Sequence, residues 1–250
     1  MTACIRPYNT IAYNNPRFRS DIAQRLIDYE TAFRFWLNYN ASQILNIVFI
    51  DNSGYPLDSF KAISENENVY NRNIEFLQIV PKPIPPGIHY GYSELEMIDI
   101  AAEQSRLINQ TKFFIKVTGR LYFPKLKSLL NSVKGSTLFL ADSRDYSFAG
   151  KSKRYILTTL LVVNKDFFNR KLKRAFNEMT PGETSHFETL YYRILKPIEN
   201  IDKRIILRFP FNVNPVGYGA HWNVNYKSFT KRLEYFIRGI FRFLLPQFRI

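Results

Sequence analysis

The chain has 250 residues, of which 46% are hydrophobic and 22% charged, a composition typical of a folded globular protein and not of a disordered one. Its formal net charge of +14 indicates an anionic partner: nucleic acid, an acidic membrane surface or a phosphorylated small molecule. A single cysteine, Cys4, excludes an intramolecular disulfide and a cysteine-based metal site, and no apolar run reaches the ~20 residues of a membrane-spanning helix.

Predicted strands and helices alternate along the first 150 residues. In chain order the patterns predict a strand at 2–5, a helix at about 21–38, strands within 44–54 and 73–80, a helix at 93–109, a strand at 112–117, a helix at 124–132 and a strand at 136–146. A strand leading into a basic helix at 154–168 and a helix at 186–195 follow. The helix at 93 carries the spacing of a capping box, Ser93 with Glu96. This alternation predicts an α/β fold, a mainly parallel sheet flanked by helices on both faces.

Polar residues follow each apolar run of the predicted sheet. In a parallel sheet the ligand crevice lies outside the carboxyl ends of the strands, so these residues are predicted to face it. They are Arg6, then Asp51 and Asn52, then Lys116, Thr118 and Arg120, and finally Asp142, Arg144 and Asp145.

The segment Asp51-Asn52-Ser53-Gly54 has two interpretations. All four residue types are common in turns, so a simple turn explains them. Their place at a strand's carboxyl end favours a second interpretation, in which Asp51 and Asn52 contact the base or ribose of a nucleotide.

Lys116, Thr118 and Arg120 alternate along one predicted strand and so share one of its faces. We interpret them as a row of donors aimed at a phosphate or diphosphate, with Gly119 allowing a ligand to approach the backbone closely. The alternative is an edge strand with a solvated polar face and a lysine that blocks edge pairing.

Asp142 and Asp145 end the next apolar strand, with Arg144 between them. Three alternatives stay open. The two carboxylates hold a hard cation such as Mg²⁺ or Mn²⁺, or Arg144 neutralises the phosphates without a metal, or the segment is a salt-bridged turn.

Two further groups are candidates for contacting an acceptor. Glu188, beside His186 at the start of a predicted helix, is placed to act as a general base or to complement the helix dipole. The segment 209–226 is rich in Asn, Gly and aromatic residues and contains Tyr218, His221 and Trp222, which suit a sugar; an aromatic-packed surface loop is the alternative.

The tail, residues 226–250, has the pattern of a basic amphipathic helix. Its apolar stripe is Phe229, Leu233, Phe236, Ile237, Ile240 and Leu244, flanked by Lys227, Lys231, Arg232, Arg238 and Arg242. The pattern favours binding to an anionic membrane surface, and a core-docking helix with a basic outer face is the alternative.

Several segments together resemble a known family. In order they are "TACIRP", "RLIDY", "FWL", "IVFIDNSG", "GYSELEMI", "FFIKVTGRLYF" and "LFLADSRDY". In combination they are similar to small bacterial glycosyltransferases of surface-polysaccharide (capsule, O-antigen or lipopolysaccharide) assembly, over most of residues 1–195. Those enzymes have a GT-A-like, Rossmann-like sheet that binds a nucleotide.

The resemblance implies that a nucleotide-sugar donor binds at the strand ends and that its sugar passes to a hydroxyl of a growing or lipid-linked glycan. It implies a catalytic domain at 1–225, a helical tail at 226–250, and a cytoplasmic enzyme on the inner face of the membrane. Donor-binding residues would be Arg6, Asp51, Asn52, Lys116, Thr118, Gly119, Arg120, Asp142 and Arg144. Catalytic residues would be Glu188 and Asp145, and acceptor-binding residues His186, Tyr218, His221 and Trp222. Asp142 and Asp145 lie where other members of the superfamily keep D-x-D, and the different spacing here leaves metal dependence open.

Two other classes remain as rivals. The net charge permits a nucleic-acid-binding module, but that class needs a continuous basic stripe, whereas here the polar residues lie at strand ends. We therefore expect no nucleic-acid partner. The other rival is a non-catalytic sugar-binding subunit of a polysaccharide assembly complex.

Overall fold

The computed structural model describes residues 1–7, 19–147, 153–219, 223–245 and 248–249. Its strands are β1 Thr2–Ala3, β2 Asn46–Asp51, β3 Asn73–Gln78, β4 Phe113–Val117, β5 Leu121–Tyr122, β6 Phe139–Asp145, β7 Arg154–Asn164, β8 Ile205–Ile206, β9 Val216–Gly219 and β10 Val224–Asn225. Its α-helices are α1 Ile22–Leu37, α2 Asp58–Asn66, α3 Gly91–Gln104, α4 Arg106–Asn109, α5 Leu126–Ser132, α6 Lys165–Lys171, α7 Phe187–Ile201 and α8 Phe229–Leu244.

The strands confirm the predicted mixed α/β fold, but the sheet is not all parallel. Strands β1, β2 and β3 pair in parallel, and a parallel bridge between Thr2 and Thr118 joins β1 to the end of β4. Strand β7 runs antiparallel to both β4 and β6, and β8 lies parallel to β6. The strand order is therefore β3-β2-β1-β4-β7-β6-β8, in which only β7 runs opposite to the other strands. The carboxyl ends of β1, β2, β4 and β6 thus meet at one edge of the sheet.

The helices cover both faces of this sheet because its central strands are apolar on both sides. Along β7, Leu160 and Val162 belong to one buried cluster, whereas Leu161 and Val163 belong to a second. The first cluster contains side chains of α1 and α2, and the second contains side chains of α3 and α7. Successive side chains of a strand point to opposite faces, so this alternation places a helical layer on each side.

Several local predictions are wrong in detail. Helix α3 begins at Gly91, two residues before Ser93, and its N-cap Tyr90 makes no side-chain cap bond. The Glu96 carboxylate instead accepts the backbone N–H of Lys82 (2.9 Å), so Ser93 and Glu96 do not form a capping box. Helix α2 was not predicted, and the segment 209–226 contains strands β9 and β10, of which β9 pairs with β5.

Helix α8 lies against the domain with its polar side and turns its apolar stripe outward. Arg242, whose side chain is 8% exposed, reaches Asp142, and Asn212 donates to the carbonyl of Tyr235. Phe236 is 66% exposed and Phe243 86% exposed, and the whole predicted stripe is exposed with them. The core-docking alternative for this stripe is therefore wrong.

None of the described helices is both long enough and apolar enough to cross a bilayer.

Candidate functional site

The carboxyl end of β4 holds a buried ion pair. The Lys116 ammonium, with only 3% of its side chain exposed, lies 2.7 Å from the Glu94 carboxylate and also donates to the carbonyl of Thr158 (2.5 Å). The Thr2 hydroxyl donates to the same Glu94 oxygen at 2.8 Å. Burial acts to raise the pKa of Glu94, but the Lys116 charge and these hydrogen bonds hold that pKa below its usual value. Lys116 thus already has a carboxylate partner.

A second carboxylate, Glu188, faces this pair from the first turn of α7. Burial raises the pKa of Glu188 above its ordinary value, and the nearby Glu94 charge adds to the shift. The Thr158 hydroxyl donates to Glu188 at 3.4 Å. Burial of the ring, and then the charges of the same two carboxylates, raise the pKa of the Tyr90 phenol. A carboxylate poised in this way is suited to accept a proton from a ligand hydroxyl.

Arg120 lies in the turn after β4, and the strand does not extend to it. The strand ends at Val117, and the backbone N–H of Leu121 donates to the carbonyl of Thr118, which closes a turn. Lys116, Thr118 and Arg120 therefore do not form one row on a strand. Lys116 and Thr118 still meet, with Lys116 Nζ 3.2 Å from the Thr118 hydroxyl oxygen.

The Arg120 guanidinium is buried but has no carboxylate ion pair within the described residues. Its Nη1 donates weakly to the Tyr218 carbonyl (3.4 Å), and its Cζ atom lies 5.5 Å from the centre of the Tyr29 ring. Among the described residues its Nε has no hydrogen-bond partner. A buried cation with a spare donor is suited to an anionic ligand.

Gly119 has a packing role. A Cβ built at Gly119 would lie 2.7 Å from the Thr2 carbonyl oxygen and 2.9 Å from Cε1 of Tyr29, so any side chain would push β1 or α1 away. Its backbone N–H donates to that same Thr2 carbonyl at 2.8 Å. The close approach that requires glycine here is to the protein's own backbone, and the predicted donor contact of Gly119 stays a prediction.

The carboxyl end of β2 forms the predicted turn. Both Asp51 oxygens are occupied, because they accept the N–H of Ile5 (3.1 Å) and the N–H and hydroxyl of Ser53 (both 2.8 Å). Burial raises the pKa of Asp51 despite these bonds. Asn52 is buried beside it, whereas Arg6 is exposed, with its guanidinium 5.7 Å from the Tyr55 ring centre. Of the predicted groups at β1 and β2, Arg6 is therefore the most accessible to a ligand.

Asp142 and Asp145 do not fit a shared metal site. They are three residues apart on β6 and so point to opposite faces. Asp142 is held by Arg144 (2.7 Å), by Arg242 (2.8 Å) and by the N–H of Phe209. In the part of the chain that the structure describes, no three His, Cys, Asp or Glu side chains cluster as metal ligands.

Asp145 lies in a separate environment. Its carboxylate accepts from the Tyr192 hydroxyl (3.1 Å), from the N–H of Ser147 (3.0 Å) and from Arg154 (3.4 Å). These contacts hold its pKa below the usual range, although burial opposes them. A carboxylate in this state is a poor proton acceptor, so the geometry favours Glu188 over Asp145 as a base.

Of the four residues predicted to bind the acceptor, the structure describes two, His186 and Tyr218. His186 is the N-cap of α7, and its ring stacks on His89 with centroids 4.3 Å apart. Tyr218 lies beside Arg120, and its ring lies 4.2 Å from the Arg19 guanidinium. His221 and Trp222 lie outside the described residues.

Three residues of the site, Glu94, Tyr90 and Thr158, were not predicted from the sequence. Glu94 stands next to Ser93, which with Glu96 resembled a helix cap, and Tyr90 lies just before the predicted start of that helix. Thr158 is in the middle of an apolar strand, where nothing local marks it. Only the sheet, by bringing β4, β7 and the starts of α3 and α7 together, shows that they share one site.

No family model matches the chain, and no curated protein sequence matches it. Solved structures that are similar to part of it include the following three. The bifunctional glycosyltransferase WbbM, in its apo form, has a TM-score of 0.48 and 10% identity over 74% of this chain. The mannosyltransferase Ktr4p from S. cerevisiae has a TM-score of 0.43 and 12% identity over 68% of this chain. HddC from Yersinia pseudotuberculosis has a TM-score of 0.31 and 13% identity over 76% of this chain and 77% of its own.

The chain spans 37% of the length of WbbM and 62% of that of Ktr4p. At TM-scores below 0.5, these likenesses carry no conclusion about the activity of this chain. Its function is therefore proposed from its own residues.

Proposed function

We propose that the chain is a GT-A-like glycosyltransferase, which moves a hexosyl group from a nucleotide-sugar donor to a hydroxyl of an acceptor glycan. The observation that carries this proposal is that a carboxylate and a cation, Glu188 and Arg120, lie at the same edge of the sheet. Glu188 is a half-buried carboxylate with a raised pKa, and Arg120 is a buried cation with a spare donor. Transfer from a nucleotide sugar needs both, a base for the hydroxyl and a cation for the diphosphate.

In this proposal Arg120 and Arg6 bind the diphosphate. The guanidinium offers paired donors that match phosphate oxygens, and Arg120 lies where little water competes. Lys116 acts less on the donor than its sequence position suggested, because Glu94 already neutralises it. Its charge contributes instead by keeping Glu94 ionised beside Glu188.

The transfer step then balances as follows. The acceptor hydroxyl oxygen bonds to the anomeric carbon, the bond from that carbon to the phosphate oxygen breaks, and the nucleoside diphosphate leaves with the electron pair. The hydroxyl proton passes to the Glu188 carboxylate. Arginine charge stabilises the departing diphosphate.

We propose the metal-free alternative for the donor site. Asp142 and Asp145 point to opposite faces and are occupied by arginine, tyrosine and backbone donors, so no step is routed through a Mg²⁺ or Mn²⁺ ion.

The glycan is proposed to be a bacterial surface polysaccharide on a lipid carrier, on the resemblance of the quoted segments to enzymes of that assembly. The catalytic domain would be residues 1–225. The acceptor would lie toward His186 and Tyr218, which flank Glu188 and Arg120.

Arg120→Met is expected to weaken binding of nucleoside diphosphates by about tenfold to a hundredfold, since a charge-assisted hydrogen bond to phosphate contributes about 1.5–3 kcal/mol. The check is a thermal-shift titration with a panel of nucleoside diphosphates and nucleotide sugars in EDTA and in Mn²⁺. Arg204→Met, which changes an exposed arginine paired with Asp202, is the matched control. Undiminished binding by Arg120→Met would remove Arg120 from the donor site.

We further propose that α8 holds the enzyme on an anionic membrane surface. Its outward stripe presents large apolar side chains to solvent, among them Phe229, Phe236 and Ile240. Lys227 and Arg232 are exposed beside the stripe, and the chain carries a net charge of +14. An apolar stripe bordered by basic residues is the pattern of a helix that lies in a lipid interface.

The double variant Phe236→Asp/Ile240→Asp is expected to bind vesicles at least about tenfold more weakly. Each change places a charge where an apolar side chain would otherwise be buried in the lipid. The measurement is co-sedimentation with vesicles rich in phosphatidylglycerol, and pure phosphatidylcholine should bind less. Val80→Asp, a change at an even more exposed apolar residue after β3, is the control. Equal binding by the double variant and the control would place the membrane contact elsewhere.

A further inference from the structure

Helix α8 turns a cationic side toward the domain. Tyr235, Arg238 and Arg242 follow one another at helical spacing, and all three are less exposed than the outward apolar stripe. Arg242 contacts the carboxylate of Asp142 on β6 (2.8 Å). Arg144 lies two residues further along the same face of that strand and contacts the same carboxylate (2.7 Å). Arginines of the helix and of the sheet therefore meet around one acidic residue.

Two tyrosines lie between Arg144 and Arg238. Tyr155 of β7 is the cross-strand neighbour of Arg144, and the Arg238 guanidinium lies 5.5 Å from the centre of the Tyr235 ring. Burial and the neighbouring Tyr146 raise the pKa of Tyr155 to about 12, and the charges of Arg144 and Arg238 oppose that shift. The same two charges oppose the rise that burial causes in the pKa of Tyr235. We call this region the α8 seam; it consists of Arg144, Tyr155, Tyr235, Arg238 and Arg242.

The charges of the α8 seam do not balance. Asp142 is shared by Arg144 and Arg242, and Glu234, the partner of Arg238, is shared with a lysine of the same helix. Among the described residues, each of these carboxylates thus faces two cations. The Arg144 side chain is only 4% exposed and that of Arg242 only 8%. Buried charge without a counter-charge is costly, so the seam is suited to a further anion.

Arg144 has donors to offer such an anion. Its Nη1 donates to Asp142 and to the carbonyl of Ser143 (2.9 Å). Its Nε and Nη2 donate to no group in the part of the chain that the structure describes. These two nitrogens form one edge of the guanidinium, and two parallel donors on such an edge match two oxygens of a phosphate.

We propose that the α8 seam binds the phosphate group of an anionic lipid, with the Nε–Nη2 edge of Arg144 and the guanidinium of Arg238 on its oxygens. The acyl chains would lie along the outward stripe of α8, at Phe236 and Ile240. A lipid phosphate fits better than free phosphate because one helix then contacts both the headgroup and the chains. The choice of a lipid rests on the proposed membrane contact of α8, whereas the binding of phosphate does not.

The test adds dihexanoyl phosphatidic acid, below its micellar concentration, to the whole protein. We expect it to raise Tm saturably. It should bind at least about tenfold more tightly than inorganic phosphate, because its acyl chains add apolar contacts with α8. Dihexanoyl phosphatidylcholine, which carries no net negative charge, is the control lipid and should raise Tm little.

Variants of the seam make the test decisive. Arg144→Met should abolish the response to phosphatidic acid and yet melt like the wild type, because Asp142 keeps Arg242 as its partner. Arg238→Met should weaken the response by about tenfold, through loss of a charge-assisted hydrogen bond. Arg204→Met changes an exposed arginine and should respond like the wild type.

The nucleotide response separates this site from the proposed donor site. Arg120→Met should keep its response to phosphatidic acid, and Arg144→Met should keep its response to nucleoside diphosphates. A protein that responds to phosphatidic acid and to no nucleotide would retain the α8 seam and lose the proposed sugar transfer. Four results would overturn the seam: no response to phosphatidic acid, an equal response in Arg144→Met, a large fall in Tm of unliganded Arg144→Met, or equally tight binding of inorganic phosphate.

Discussion

Glu188→Gln is expected to lower kcat for sugar transfer by about 10²–10⁴-fold, since it removes the group that we propose as the acceptor of the hydroxyl proton. The donor-induced rise in Tm should be unchanged, because the groups proposed to bind the phosphates are Arg120 and Arg6. The readout is release of nucleoside diphosphate in the presence of acceptor. Glu183→Gln, at an exposed glutamate just before α7, is the matched control and should be fully active.

The pH dependence of kcat gives this prediction a second readout. Burial and the Glu94 charge raise the pKa of Glu188, and a base works only when deprotonated. Activity should therefore rise with pH through a value above that of an ordinary glutamate. An activity that is flat down to pH 4 would contradict the assignment.

The free energy of unfolding should fall with rising pH, whereas activity should rise. A carboxyl group whose pKa is raised on folding binds more protons in the folded state, so stability is present below the raised pKa and falls as pH rises through it. Glu188→Gln should therefore melt at the same or a higher temperature than the wild type at pH 8. A large fall in Tm would instead assign Glu188 a structural role.

Lys116→Met is expected to destabilise the fold by about 3–5 kcal/mol, because it leaves the Glu94 carboxylate buried without its partner. The double variant Lys116→Met/Glu94→Gln removes both charges and should recover most of that loss. Chemical denaturation of the wild type, both single variants and the double variant measures the coupling. Lys61→Met, which breaks an exposed pair with Asp58, is the control and should change stability little.

The outcome separates two roles for Lys116. A lysine that serves mainly as a phosphate ligand would fold normally after replacement and lose donor binding. If Lys116→Met retains wild-type stability, the buried pair with Glu94 does not contribute as described.

The order of strands and helices was predictable because apolar runs and their polar ends are local features. That order also places the carboxyl ends of β1, β2 and β4 at one edge of the sheet, where Arg6, Lys116 and Arg120 lie. A ligand crevice at this edge stays a prediction. The outward apolar stripe of α8 was also visible as a pattern. Its orientation was not, because it depends on the distant contact of Arg242 with Asp142.

Contacts between residues that are far apart in the chain could not be predicted from the sequence. Lys116 and Glu94 are 22 positions apart, and only the parallel sheet places α3 against β4. The interpretation of Asp142 and Asp145 as a metal pair depended on spacing alone. On a strand, a separation of three residues places the two side chains on opposite faces. In addition, Arg144 and Arg242 already form ion pairs with Asp142.

The central claim, that the chain is a glycosyltransferase, is tested most directly by release of nucleoside diphosphate from a panel of nucleotide sugars. We predict that at least one sugar nucleotide raises Tm and is turned over by the wild type in EDTA, that Arg120→Met binds it more weakly, and that Glu188→Gln binds but does not turn it over. Absence of any shift or turnover across the panel, together with tight, strongly salt-dependent binding of single-stranded nucleic acid, would contradict the account.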